Sequence, residues 1–146
     1  RRHAAPRARS RAGGFLAAAR AAGAEAESVG HPGAAGVEVG GFLLARALDE
    51  TPGVEGIACS NDHMALGAIF ECQRRGIAIP ERLAIVGFGD LEFAGVCNPS
   101  LTTVRPSGDL IGREAARVIV ESVRTGRYRS GEVIDTHHAL IHRLSS

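Results

Sequence analysis

The stretch at residues 56–90 constrains the fold most, because it holds a complete strand, helix and strand with clear ends. Residues 56–59 and 83–86 are short and continuously apolar, which is typical of strands buried on both faces of a sheet. Between them, the polar residues 60–62 are of the helix-capping kind, and Gly76 is a natural end for a helix. We therefore predict a parallel βαβ crossover and an α/β fold.

Helices and strands are predicted to alternate on both sides of this unit, as in an α/β domain. Apolar residues recur at helical spacing in some segments, and short apolar runs bounded by glycine or proline indicate strands in others. The predicted elements outside the unit are helices at residues 6–23, 37–48 and 106–125, and strands at 26–29, 101–104, 132–135 and 140–143.

The composition is that of an ordinary globular domain, with 45% hydrophobic and 23% charged residues in a chain of 146. A net charge of +1 gives no reason to expect a nucleic-acid or membrane surface, and no tract is apolar enough to span a bilayer. Cys59, Cys72 and Cys97 form no CxxC pair, so we expect them to pack as small hydrophobic side chains in a reducing cytoplasm. The chain starts at Arg1 without a signal peptide, and we expect it to be the C-terminal part of a longer protein.

Polar residues follow two of the predicted strands at the points where these strands end. Ser60, Asn61 and Asp62 follow the first strand, and Gly89 and Asp90 follow the second. Ligands of open α/β sheets bind beyond the carboxyl ends of the strands, near helix N-termini. The amide and the carboxylates could hold hydroxyl groups there, or Ser60 or Asn61 could cap the helix and Asp90 the next turn. The residues alone leave both interpretations open.

No pattern in the sequence indicates an enzyme, a metal site or a cofactor. The chain lacks a GxSxG elbow, a P-loop, an HExxH sequence and the glycine fingerprint of dinucleotide binding. Asp62 and Asp90 could act as an acid and a base, but no nucleophile accompanies them. His137, His138 and His142 lack cysteine or carboxylate partners at ligand spacing, so we predict no metal site.

The helix predicted at residues 61–75 has a wider apolar surface than a helix lying on a sheet needs. Its alanine-rich face suffices to cover the sheet, which leaves Leu66 and Phe70 to pack against something else. A partner subunit and a neighbouring helix of the same chain both remain open as the element that covers them.

Three motifs carry a family resemblance: NDHMALGA, the IP that precedes AIVGF, and PSLTTVRP. Together they resemble the C-terminal half of the lactose and galactose repressor (LacI/GalR) family of transcriptional regulators. The similarity extends upstream to PRARSRAGGFLAAARAAG and downstream to the final RLSS, so it covers nearly the whole chain. The run GFGDLEFA is also similar to gluconate-type members of the family.

The resemblance implies an α/β fold of the periplasmic-binding-protein-like type (type I), with two lobes that are each a parallel sheet flanked by helices. Residues 1–104 would be the C-terminal lobe without its first strand. Residues 105–136 would be a crossover helix and strand of the N-terminal lobe, and residues 137–146 a final strand and tail. Most of the N-terminal lobe and the helix-turn-helix headpiece would be absent. The apolar side of the crossover helix is then expected to be exposed.

The resemblance also implies an effector site. Arg11 matches the arginine that holds the hydroxyls or the carboxylate of the effector, and Asn61 matches the effector-contacting asparagine. Asp62 follows Asn61, and Phe15 lies on the same side of the first helix as Arg11. We assign all four residues to the effector site.

Gly89 departs from the family pattern, because sugar-binding relatives commonly have an aspartate there to hold vicinal hydroxyls. Asp90 occupies the next position and is also assigned to the effector site. The loss of a carboxylate lowers the repulsion of an anionic ligand, and Arg11 can pair with such a ligand bidentately. We therefore expect a sugar acid such as gluconate as the effector.

The implied function is sugar or sugar-acid sensing by a bacterial transcriptional regulator in the cytoplasm, without a cofactor or a membrane partner. A homodimer is expected, with Leu66, Phe70 and Gln73 at its interface, and DNA is bound through the absent headpiece. The solute-binding protein of a sugar transporter shares the fold and is the first alternative. A sugar-modifying α/β enzyme is a more remote one.

Overall fold

The computed structural model describes residues 6–30, 35–128 and 131–146, and it confirms the α/β fold. Helices pack on a mainly parallel sheet, and a short 3₁₀ helix at Glu92–Gly95 follows the second strand. The other elements are α1 (Pro6–Ala21), α2 (Val37–Glu50), β1 (Gly56–Ala58), α3 (Asp62–Arg75), β2 (Ala84–Phe88), β3 (Thr102–Pro106), α4 (Gly108–Thr125) and β4 (His138–Ile141).

The four strands form one sheet in the order β1, β2, β3, β4. The first three strands are parallel, with Ile57 opposite Ile85 in the first pair. Strand β4 runs antiparallel to β3, with Thr103 opposite Ile141. The βαβ crossover predicted for residues 56–90 is therefore confirmed, and the carboxyl ends of β1, β2 and β3 share one edge of the sheet.

Helix α3 has the ends that its sequence predicts. The Asn61 side chain accepts a hydrogen bond of 2.9 Å from the Met64 N–H, which satisfies one of the free donors at the helix start. Gly76 ends the helix in the left-handed conformation with φ 66°, which glycine adopts without steric cost. Arg74 and Arg75 lie in the last turn, where the helix dipole favours positive charge.

The core lies between the sheet and the inner sides of α2 and α3. Burying a large aliphatic side chain such as Ile69 or Leu83 contributes roughly 1.5–3 kcal/mol to stability. The face of α3 predicted to cover the sheet is fully buried. The core residues are Leu44, Ala65, Ala68, Ile69, Cys72, Leu83, Ile85, Ala94 and Leu101.

Helices α2 and α3 meet through glycines. A Cβ atom on Gly67 would lie 1.8 Å from the Val37 carbonyl oxygen, and one on Gly40 would lie 2.0 Å from the Met64 carbonyl oxygen. The two backbones are in direct contact at a distance that leaves no room for a side chain. This contact sets the position of α2 against α3.

Two predicted strands are wrong, and a third is displaced. Residues 26–29 and 132–135 form no strand, because a strand needs a hydrogen-bonded neighbour and no described strand lies beside either segment. The last strand forms at His138–Ile141 instead of residues 140–143, where it pairs with the end of β3. The apolar patterns did not contain this pairing information.

The C-terminal tail closes the gap where β2 and β3 separate. The Ser145 hydroxyl accepts a hydrogen bond of 2.9 Å from the Thr102 N–H and donates one to the Ile85 carbonyl oxygen. The Ile85 N–H in turn donates to the Ser145 carbonyl oxygen at 2.7 Å. Ser145 is fully buried, so the tail is part of the same packed unit as β2 and β3.

Helix α4 has an apolar side that the described residues leave exposed. Ile111, Ile119, Val120 and Val123 all present much of their side-chain surface to solvent. The exposure expected for this helix is therefore observed. An apolar stripe of this kind is usually covered by another element in a stable protein.

We predict that Gly67→Ala lowers the free energy of unfolding by roughly 1–3 kcal/mol, because the added methyl group overpacks the contact with Val37. The matched control is Gly13→Ala in α1, where a Cβ atom would meet nothing within 4 Å. That control should gain roughly 0.5–1 kcal/mol from helix propensity. Urea denaturation measures both variants, and a Gly67→Ala protein as stable as the wild type would contradict the close packing.

Candidate functional site

The polar residues predicted to form a site meet at the edge of the sheet where β1, β2 and β3 end. Helix α3 starts there directly after β1, and the loop of Gly89 and Asp90 follows β2. Helix α1 contributes Arg11 to the same edge through a contact with Phe88, the last residue of β2. The fold therefore brings residues from α1, α3 and the β2 loop into one region.

Arg11 is held over an aromatic ring. Its guanidinium carbon lies 4.3 Å from the centre of the Phe88 ring, a cation–π arrangement. The Arg11 Nε atom is buried and has no hydrogen-bond partner among the described residues. A buried donor without a partner costs free energy unless a ligand or water pairs with it. Phe15, one turn further along α1, is half exposed.

Asn61 caps α3 and also reaches a second element. Besides its bond from the Met64 N–H, its Nδ2 donates to the Ala35 carbonyl oxygen at 2.9 Å. Asn61 therefore caps the helix, as the sequence allowed, and this cap is compatible with a further contact. Within the described ranges these two bonds use one amide hydrogen and one lone pair of the amide oxygen. The Asn61 side chain can therefore donate one more hydrogen bond and accept one more.

Asp62 is fully buried, and protein donors occupy both of its carboxylate oxygens. Oδ1 accepts from the Thr103 hydroxyl at 2.6 Å, and Oδ2 accepts from the Leu91 N–H at 2.8 Å. A Cβ atom on Gly87 would lie 2.2 Å from Oδ1, so the carboxylate also needs glycine at that position. Asp62 therefore ties the start of α3 to β3 and to the loop after β2.

Gly89 has a backbone conformation that excludes most side chains. Its φ is 136°, a region that residues with a Cβ atom rarely adopt. A Cβ atom there would also lie 3.4 Å from Asp62 Oδ2. An aspartate at this position would have a strained backbone and would place a second carboxylate beside that of Asp62. With glycine, only main-chain atoms lie at this point of the sheet edge.

Asp90 is held by two arginines. Its Oδ1 accepts from Arg143 Nη2 at 2.7 Å, and its Oδ2 accepts from Arg105 Nε. Burial acts to raise the pKa of the Asp90 carboxyl, but the hydrogen bonds and charges of Arg143 and Arg105 outweigh it, so this pKa is lowered from its usual value. Asp90 also adopts a left-handed φ of 53°, which its side-chain bonds help to maintain.

Sequence reasoning missed Thr103, Arg105 and Arg143. Each becomes important through a partner more than 10 residues away in the sequence, and no local pattern indicates such partners. Arg105 did carry a usable signal, because it is a charged residue near the carboxyl end of a predicted strand. Arg143 lies in the C-terminal segment, whose packing against β3 the sequence did not reveal.

Cys59 directly precedes the polar residues at the end of β1. Burial, followed by the charge of Asp62, raises the pKa of the Cys59 thiol to about 12, so it stays protonated at neutral pH. Across residues 6–30, 35–128 and 131–146, no group of three His, Cys, Asp or Glu side chains is placed to hold a metal ion. Over the same ranges, no helix is long and apolar enough to cross a membrane.

A family model described as a periplasmic binding protein-like domain matches residues 1–146, and the chain belongs to this family. The transcriptional regulator GntR from Pseudomonas aeruginosa is 33% identical over 115 residues, which cover 79% of this chain and 33% of that protein. The regulator IdnR from Escherichia coli is 33% identical over 97 residues, 66% of this chain and 29% of that protein.

Solved structures agree with this assignment. The transcription regulator GntR from Chromobacterium violaceum is 36% identical with a TM-score of 0.86, over 97% of this chain and 52% of that chain. A LacI-type regulator from Bifidobacterium animalis subsp. lactis is 31% identical with a TM-score of 0.78, over 90% of this chain and 48% of that one. Within the family, the chain is therefore part of an effector-binding domain of the LacI/GalR type, and it spans about half the length of these solved structures.

We predict that Asp62→Ala lowers the free energy of unfolding by about 1–3 kcal/mol, because it leaves the Leu91 N–H and the Thr103 hydroxyl without their acceptor. Asp62→Asn should recover part of the loss, since an amide oxygen can still accept from Leu91. Asp109→Ala removes an exposed ion pair with Arg113 and should change stability by less than about 0.5 kcal/mol. Equal urea midpoints for all three variants would exclude the bracing role of Asp62.

Proposed function

We propose that this chain is the effector-sensing part of a bacterial LacI-type transcriptional regulator, acting in the cytoplasm as a binding module and not as an enzyme. The observation that carries the proposal is Arg11, whose guanidinium lies over Phe88 at the binding edge of the sheet. Its buried Nε has no partner among the described residues and suits a polar ligand group.

The residues of the site take two roles. Arg11, Phe15 and Asn61 contact the effector with their side chains, and Gly89 brings the main chain close to it. Asp62 and Asp90 do not contact the effector but hold the neighbouring elements in place, because protein donors occupy their carboxylate oxygens. This assignment refines the expectation that all these residues contact the effector.

Regulation requires a second lobe. The effector would bind between two lobes and change their relative orientation, and this change would reach a helix-turn-helix that binds DNA. In this proposal residues 107–137 lead into the N-terminal lobe. The segment is shorter than the expected 105–136 at its start, because Arg105 and Pro106 still belong to β3. Residues 138–146 return to the C-terminal lobe. The exposed apolar side of α4 supports the first part, and the packing of Ser145 between β2 and β3 supports the second.

A sugar acid such as gluconate fits the charges at this edge. The carboxylate of Asp90 is paired with Arg105 and Arg143, and hydrogen bonds occupy both oxygens of Asp62, whereas Arg11 keeps a donor for a ligand. The conformation of Gly89 excludes the aspartate that would hold neutral vicinal hydroxyls. The relatives named GntR and IdnR agree with a gluconate-type assignment. The related regulator CelR has been solved with cellobiose, which supports a sugar-like ligand more generally.

Calorimetry on the full-length regulator tests the effector class. We expect gluconate to bind more tightly than neutral glucose, and Arg11→Gln to weaken gluconate binding about 10- to 100-fold by removing a charge-assisted hydrogen bond. Glucose serves as the uncharged control ligand, and its affinity should change little in the variant. Tighter binding of glucose than of gluconate by the wild type would reject the sugar-acid proposal.

The outer sides of α2 and α3 are the proposed dimer interface. Phe70 is 51% exposed and Phe42 is 56% exposed, and both line a shallow groove between the two helices. Leu66 is half buried, and Gln73 donates from Nε2 to the Asn98 carbonyl oxygen at 2.6 Å at the end of this surface. Aromatic side chains surrounded by polar residues are typical of protein interfaces.

Phe70→Glu should dissociate the full-length dimer, because a charge in an apolar interface is left without a partner. Sedimentation velocity measures the effect as a shift from dimer to monomer at micromolar concentration. Leu144→Glu is the matched control, since Leu144 is a more exposed apolar residue in the C-terminal tail, away from α2 and α3. An unchanged dimer in the Phe70 variant would remove this residue from the interface.

A further inference from the structure

The carboxylate of Asp90 joins three parts of the chain in what we call the Asp90 clasp, made of Asp90, Arg105 and Arg143. Asp90 lies in the loop after β2, Arg105 lies in β3, and Arg143 follows β4. Both carboxylate oxygens are used, one by each arginine, and the Asp90 side chain is only 7% exposed. The clasp is therefore a closed ionic network at the edge of the sheet.

Arg105 lies on β3 and Arg143 lies just after β4, and these two strands enclose residues 107–137. Strand β3 leads from Arg105 into α4, and β4 returns the chain towards Arg143. The strands are paired at this point, with Arg105 opposite Ala139. Asp90 thus holds the outgoing and the returning connection of that segment against the loop that follows β2.

The two sides of the clasp differ in how firmly they are held. Arg143 is 19% exposed, its Nη1 also donates to the Leu101 carbonyl oxygen at 2.7 Å, and its N–H donates to the Thr102 hydroxyl. Arg105 is 55% exposed. Arg143 is therefore fixed to the sheet by several hydrogen bonds. The Arg105–Asp90 bond is the one that can break when the connection to α4 moves.

The clasp also controls the backbone of the candidate site. Asp90 has a left-handed φ of 53° and directly follows Gly89, whose φ is 136°. A residue with a Cβ atom adopts such a conformation at a cost and keeps it only when surrounding contacts demand it. The positions of β3 and β4 therefore help to determine the conformation of the loop at residues 89–90. Conversely, a ligand that changes this conformation shifts the position of Arg105 and Arg143 relative to Asp90.

We propose that Asp90 is a positioning residue that couples the effector cleft to the β3 and β4 connections through its clasp on Arg105 and Arg143. This inference rests on the proposed function, because it takes residues 107–137 to be the path to the second lobe. Asp90 acts through the shape of the loop and through Arg105, and its carboxylate does not itself hold the effector.

The test uses the full-length regulator and compares operator affinity with and without saturating gluconate. The wild-type ratio of these affinities should fall at least about fivefold in Asp90→Asn and in Arg105→Gln, a loss within the usual range of allosteric coupling. Arg105→Lys should keep much of the ratio, since it retains a charged donor for Asp90. Arg20→Gln is the control, because it removes an exposed arginine in the last turn of α1, outside residues 107–137.

A second measurement separates coupling from stability alone. Hydrogen exchange at the amides of Gly89, Asp90 and Leu91 should accelerate in Asp90→Asn and Arg105→Gln, and not in Arg20→Gln. Faster exchange with an unchanged affinity ratio would overturn the coupling role and leave the clasp a structural contact. If Asp90→Asn does not fold, the affinity ratio of Arg105→Gln provides the test, because Arg105 is half exposed and its substitution is compatible with folding.

Failure of the proposed function gives a different result. A wild-type regulator whose operator affinity responds to no sugar or sugar acid in a panel would overturn the sensing function itself. A wild type that responds, with clasp variants that respond equally within twofold, would overturn only the inference about Asp90.

Discussion

A buried carboxylate, that of Asp62, joins three elements that are distant in the sequence. Its two oxygens hold the Thr103 hydroxyl on β3 and the Leu91 N–H in the loop after β2, while its backbone starts α3. An ionised group without such partners would cost several kcal/mol to bury, so the three elements must stay together for the fold to be stable. The site is built on this junction.

The junction also explains the glycines around it. Gly87 leaves the space that the Asp62 carboxylate occupies, and Gly89 turns the chain away from it with a positive φ. The chain then reaches Asp90, whose charge is paired with arginines of β3 and of the C-terminal segment. Protein donors therefore occupy the carboxylate oxygens at this edge, and Arg11 is left with a buried donor that has no partner among the described residues. This distribution of charge is the physical basis for proposing an anionic effector.

Prediction from the sequence succeeded where a structure depends on neighbouring residues. The cap at Asn61, the left-handed end at Gly76 and the buried strands around α3 all follow from local chemistry and apolar spacing. It failed for the strands at residues 26–29 and 132–135, because an extended segment becomes a strand only beside another strand. It could not foresee the protein partners of Asp62 and Asp90, since a carboxylate at a strand end looks the same whether its partner is a ligand or the protein itself.

The sequence by itself determined the α/β class, the βαβ crossover, the ends of α3 and the group of polar residues at one edge of the sheet. These features arise from propensities and periodicities that act over a few residues. The tertiary structure alone decided that Asp62 braces the loop, that Arg105 and Arg143 clasp Asp90, and that Arg11 stacks on Phe88. Each of these contacts joins residues from distant parts of the chain, and such pairs are chosen by the packing of the whole domain.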